Sequence, residues 1–140
     1  MLTRMGRKSV TTIPPVLRQV VNLWTLVWHP TRNREWTLER KLRAVKDAGF
    51  DGFTTQLTPQ HKKLGDKLGL IRVGYFASSE PHKFGALLHS QKEAGALHVN
   101  VQLGNHDTPT ATALRLARRL IDESRKLGLE TAIEVHRDTC

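Results

Sequence analysis

Two periods of apolar residues alternate along this chain, one near 3.6 residues and one of two, and they predict helices and strands in turn. In "PTATALRLARRLIDESRKLG" the residues Ala113, Leu116, Ala117, Leu120, Ile121, Ser124 and Leu127 fall on one helical face, while Arg115, Arg118, Asp122 and Arg125 lie away from it. Leu38, Leu42, Val45 and Ala48 form the same kind of face in "LERKLRAVKDA". Between the helical segments lie "VVNLWTLVW", "DGFTTQL", "LIRVGYFA", "ALHVNVQL" and "LETAIEV", each a strand candidate.

The boundaries are punctuated. Gly49, Gly69, Gly95 and Gly128 each follow a helical segment, where a left-handed residue closes the last turn. Thr37, Thr58, Ser79 and Thr108 each precede one, the last three with Pro59, Pro81 and Pro109 close behind. A hydroxyl in that position accepts a bond from an unpaired backbone N–H, and proline tolerates the first turn because its missing N–H is not needed there.

The resulting order, β-α-β-α-β-α-β-α-β, implies parallel strands joined by right-handed crossovers. Side-chain parity then separates two architectures. An open parallel sheet covered on both faces reads as continuous apolar runs. Here His98, Asn100 and Gln102 alternate with Val99, Val101 and Leu103, and Ala132, Glu134 and His136 alternate with Ile133 and Val135. One polar face favours an α/β fold of the partial (β/α) TIM-type barrel kind, with five parallel strands and four helices and a polar interior toward the strands' C-terminal ends.

Length and composition narrow this further. A chain of 140 residues, 39% hydrophobic and 25% charged, has the make-up of one globular domain. Residues 1–19 carry Arg4, Arg7, Lys8 and Arg18 without an acid and are expected to form a disordered basic extension, leaving residues 20–140 as the barrel portion. The longest apolar-rich stretch, from Val20 to Trp28, falls far short of the roughly 20 residues that span a bilayer, so no membrane partner is expected. One cysteine, Cys140, excludes an internal disulfide and a multi-cysteine zinc site and fits the cytoplasm. The net charge of +9 admits a polyanionic partner. Its carriers, Arg40, Lys41, Arg43 and Lys46 in one helix and Arg115, Arg118, Arg119, Arg125 and Lys126 in another, read as solvated faces, and nucleic acid is not the expected partner.

The candidate chemistry gathers at two strand ends, "GNHDTP" and "EVHRDT". His106, Glu134, His136 and Asp138 converge there if both segments reach one rim, with Gln102 below, and His29 closes the first strand beside Trp28. Carboxylates beside imidazoles suit proton transfer or a metal. His61, His82 and His89 fall within or beside helices and read as solvated. No glycine-rich phosphate loop, nucleophile elbow or HExxH segment occurs.

"WTLVWHP", "EWTLERKLRAVKDAGFDGF", "VNVQLGNHDT" and "IEVHRDT" together resemble the sugar phosphate isomerase/epimerase group of the xylose-isomerase-like barrel superfamily. The resemblance implies a sugar or sugar phosphate as ligand, a divalent metal (Mn, Mg, Co or Zn), and Glu134 as the first metal-ligand glutamate. From their place at the strand ends, and not from the resemblance, His136 joins Glu134 as a catalytic candidate and Gln102, His106, Asp138 and His29 are the substrate-binding ones. A glutamate often follows "GFDGV" in such barrels, whereas Thr54 stands there in this chain. Complete barrels run to about 250 residues. The expectation is therefore a chain truncated to the N-terminal five strands, inactive alone and self-associating through open barrel edges. The same superfamily fold also carries metal phosphodiesterases of the AP-endonuclease kind, and a truncated, non-catalytic scaffold is the third reading.

Overall fold

Parallel pairing organises the computed structural model, which describes residues 16–136. The strands are β1 (Val20–Asn22), β2 (Gly52–Thr55), β3 (Ile71–Ser78), β4 (Val99–Leu103) and β5 (Thr131–Ile133), and they lie side by side in sequence order. Every neighbouring pair is parallel. The helices α1 (Leu38–Asp47), α2 (Pro59–Leu68), α3 (Phe84–Glu93) and α4 (Thr110–Leu127) occupy the four crossovers. None of the described helices is long and apolar enough to cross a membrane. The α/β class, the five parallel strands and the four helices agree with the alternating periods.

Register divides the sheet into two faces. Phe76 pairs with Val101, so these two point the same way, whereas Tyr75 pairs with Asn100 and Ala77 with Gln102 on the other side. Phe76, Val99, Val101 and Leu103 are buried with Phe84 and Leu88 of α3 and Leu116 and Leu120 of α4. Phe53 is buried with Leu42 and Val45 of α1 and Leu64 of α2. Each such side chain, removed from water, contributes about 1.5–3 kcal/mol. The helices thus stack on the apolar face, and Tyr75, Asn100 and Gln102 are left on the opposite one.

The helix ends partly follow the punctuation. The Thr37 hydroxyl accepts the Arg40 N–H at 3.3 Å, and Thr58 caps α2 with Pro59 directly after it. All four of Gly49, Gly69, Gly95 and Gly128 have positive φ. Ser79 and Thr108 depart from the expectation. A short 3-10 turn at Pro81–Lys83 precedes α3 and has no side-chain cap, while the Ser78 hydroxyl accepts the Glu80 N–H at 3.0 Å. The Thr108 hydroxyl accepts the Asn105 N–H at 2.8 Å and donates to Asn105 Oδ1 at 3.0 Å, closing its own loop while Pro109 begins the helix.

The first strand is much shorter than "VVNLWTLVW". The Asn22 side chain accepts the Trp24 N–H at 3.0 Å and turns Leu23–Leu26 into a 3-10 helix. Before β1, Arg18 reaches Asp51 at 3.1 Å and the Gln19 N–H donates to the same carboxylate at 2.8 Å. The rest of the basic extension, residues 1–15, lies outside the described residues, as do Asp138 and Cys140.

Two glycines make the pairing testable. A Cβ on Gly52 would stand 2.2 Å from the Ile71 carbonyl oxygen, inside the β2–β3 ladder, whereas a Cβ on Gly69 meets nothing but sits at φ 64°. Gly52→Ala is expected to lower unfolding stability by about 3 kcal/mol through forced separation of the strands. Gly69→Ala is expected to lower it by about 1 kcal/mol through backbone strain alone. Urea unfolding of both variants checks the order.

Candidate functional site

The polar face of the sheet carries a row of three hydrogen-bonded side chains, from β3, from β4 and from the residue that follows β5. Gln102 of β4 donates from Nε2 to Glu134 Oε1 at 3.0 Å, and the Tyr75 hydroxyl of β3 donates to Gln102 Oε1 at 3.0 Å. The direction of the row follows from Glu134. An ionised carboxylate only accepts, so the amide nitrogen must face it, the amide oxygen must face Tyr75, and the phenol must donate.

This row lines a cavity of about 680 Å³ at the C-terminal side of the strands. Asn22 and Trp24 flank it from the end of β1, Thr55 and Gln56 from the end of β2, His61 and Lys41 from α2 and α1, and His136 from beyond β5. A pocket with one aromatic wall, a few apolar side chains and several convergent polar groups is the form small-molecule sites take.

The predicted site residues divide as follows. Gln102, Glu134 and His136 line the cavity together. His106 lies in an exposed loop, 3.3 Å from Asp107, and His29 is exposed with its ring edge against Trp36 at 4.4 Å between centroids. Neither belongs to the cavity lining. Asp138 lies outside the described residues. Ala132 precedes Glu134 on the same parity, as expected. Ile133 and Val135 share the parity of the helix-facing residues yet are 41% and 81% exposed.

Among the lining residues that sequence pattern does not pick out are Tyr75, Lys41 and His61. Tyr75 lies inside an apolar run. Lys41, read as part of a solvated helix face, is only 9% exposed and is paired with Glu35. Its position one residue before Leu42 on the buried side of α1 was the available signal. His61, read as solvated, is half-buried: its Nδ1 lies 3.2 Å from the Thr58 nitrogen and 2.7 Å from the Thr58 hydroxyl. Its place three residues after a threonine N-cap, the spacing of a capping box, would have shown it. His82 and His89 are exposed as read.

The loop that carries Gln56 and leads into α2 and His61 is held from a distance. Gln91 of α3 is 1% exposed, and its amide accepts the Leu57 N–H at 2.8 Å and donates to the Leu57 carbonyl at 3.2 Å. Removing that side chain would leave two buried backbone groups unpaired, each costing about 1–3 kcal/mol.

As to a metal, the described residues contain no group of three or more His, Cys, Asp or Glu side chains that could hold an ion. Among the described residues Glu134 is the only carboxylate lining the cavity. A divalent cation ordinarily takes several oxygen or imidazole ligands from the protein. The donor set does not fit a complete metal site. No protein-family model matches this chain, and no curated protein matches it.

Electrostatics follow the geometry. Burial pushes the Tyr75 hydroxyl above its ordinary range, and the Glu134 charge adds to the shift. Burial alone pushes the His61 imidazole down. Tyr75 is the only tyrosine in the chain, so the rise of tyrosinate absorbance with pH reads this one group. The midpoint is expected above that of free tyrosine, and Glu134→Gln is expected to return it part of the way, with burial keeping the remainder. A raised folded value means that this group's contribution to stability is complete below pH about 10 and is lost as pH rises through the folded value. A midpoint unchanged by Glu134→Gln would contradict the row as described.

Proposed function

We propose that this chain is the N-terminal, five-strand portion of a (β/α) barrel of the sugar phosphate isomerase/epimerase kind, and that its cavity binds a sugar or sugar phosphate. The observation that carries the proposal is the Tyr75–Gln102–Glu134 row, built from β3, β4 and the end of β5 on the polar face and opening on the cavity. Sequential parallel order with helices on one side is the arrangement a barrel segment takes, and barrel chemistry lies at the C-terminal ends of the strands.

The lining suits a polyol. A sugar hydroxyl donates to one group and accepts from another. The Glu134 carboxylate and the Tyr75 oxygen are acceptors, and Lys41 is a donor. Trp24, 78% exposed at the cavity wall, offers a flat apolar surface to a sugar ring. Within this set Glu134 would accept a proton from a sugar hydroxyl, Gln102 would hold the carboxylate in place, and His136 would take part in proton transfer at the same rim. A divalent metal would meet Glu134 here and polarise a sugar oxygen, but the described residues do not complete its ligands.

The partners follow from the same reading. Among the described residues β1 and β5 each pair with one neighbour, so their outer backbone groups are proposed to take a further strand. The chain is proposed to self-associate through these edges and to lack turnover by itself, with the cytoplasm as its compartment.

Two measurements test this. Calorimetric titration with D-glucose, D-fructose and their 6-phosphates is expected to show binding, weakened about tenfold or more in Glu134→Ala, the loss of one charge-assisted hydrogen bond. Solution mass is expected to exceed that of one chain. Absence of binding to all four sugars would defeat the ligand reading, and a monomer that interconverts aldose and ketose above a metal-only control would defeat the partial-barrel reading.

A further inference from the structure

His61 has a feature that the row of Tyr75, Gln102 and Glu134 does not use: its ring is fixed in one proton arrangement by the backbone. The Thr58 N–H can only donate, and it points at His61 Nδ1 from 3.2 Å. Nδ1 therefore carries a lone pair, and a neutral ring places its proton on Nε2. The Thr58 hydroxyl accepts the His61 backbone N–H at 3.4 Å and lies 2.7 Å from the same ring nitrogen, to which it can donate once Nδ1 carries the lone pair. These bonds form the capping box that starts α2. A second proton on Nδ1 would face the Thr58 N–H head-on and open the cap. It would also put a full positive charge at the positive end of the α2 dipole. Burial acts in the same direction, and the Phe53 ring lies 6.0 Å away, centroid to centroid.

From this geometry we propose that His61 is a neutral hydrogen-bond donor of the cavity, its Nε2–H directed to a carbonyl or hydroxyl oxygen of a bound sugar. The proposal rests on reading the cavity as a sugar site and adds the polarity of one contact. Glu134 and Tyr75 present acceptors and select sugar hydroxyls that donate. His61 lines the same cavity and selects a sugar oxygen that accepts. An uncharged donor strengthens its bond as charge develops on a carbonyl oxygen, without giving up a proton. The role also ties ligand contact to helix capping, since both nitrogens of one ring serve the two tasks.

The test uses the full chain labelled with nitrogen-15. Imidazole nitrogen shifts of the seven histidines are recorded, with His61→Gln identifying the His61 pair by its disappearance. The expected result at neutral pH is a neutral ring protonated at Nε2. A ring protonated at Nδ1, or charged, would overturn the proposal. Binding of D-glucose, D-fructose and their 6-phosphates is then measured for three proteins. His61→Phe, which keeps the ring shape and removes the donor, is expected to weaken the bound sugar about tenfold. His61→Gln, whose amide supplies an N–H near Nε2, is expected to restore most of that loss. Equal weakening in both variants, or none in His61→Phe while Glu134→Ala still weakens binding, would overturn the donor role and leave the sugar reading standing. No binding by the unsubstituted chain would overturn both. Far-ultraviolet circular dichroism confirms that each variant keeps its helices.

Discussion

A parallel strand has two faces, and in this chain helices cover only one of them. The rest of the structure depends on that constraint. Val99, Val101 and Leu103 can be apolar and fully buried because α3 and α4 lie over them, and Asn100 and Gln102, on the opposite face, are only half-buried. The same parity places Glu134 beside Gln102, since β5 pairs with β4 in register with Ala132 opposite Asn100. A site that spans three strands is thus set by backbone pairing, with side chains of ordinary length.

Low exposure raises what each polar contact is worth. In the partly dry surroundings of the row, a hydrogen bond is stronger than in water, and an unpaired group is more costly. Every member of the row makes at least one bond, and the buried Gln91 and Ser124 are likewise bonded to backbone carbonyls. The exception among the described side chains is Arg72, whose Nε has no partner although its Nη2 meets Asp66 at 2.9 Å. Its guanidinium fills the space left by Gly65 and Gly95, where added Cβ atoms would stand 2.6 Å from it. The Asp66 pair, a bond from Nη1 to the Leu70 carbonyl at 3.4 Å and this packing together hold that end of the side chain.

Much of this was legible because it depends on short-range regularities. Period two in β4 and β5 determined which side Gln102 and Glu134 would take, and the four glycines marked the ends of the helices. What escaped was local competition for backbone donors. Asn22 captures the Trp24 N–H and ends β1 early, although the apolar run continues; Thr108 satisfies Asn105 in place of α4. Apolar periodicity is blind to such bonds. Lys41 escaped for a different reason: a long side chain can bury its stem and keep its ammonium paired, so charge alone does not report exposure. Tyr75 and His61 belong to the cavity through strand order and a capping box, and neither is a property of the residue type.

The clamp on Leu57 has a consequence for how the site comes into being. The segment that bears Gln56 and His61 follows β2 directly, yet the side chain fixing it, Gln91, is 34 residues further along. Until β3 has been laid down and α3 has docked, the two Leu57 backbone groups have no protein partner there. Contacts of that sequence separation require loop closure first and form late relative to local helix turns. The cavity wall is therefore a product of the assembled sheet: α2 can coil early with its cap in place, but the segment leading into it is fixed only when a helix two elements downstream has docked on Leu57.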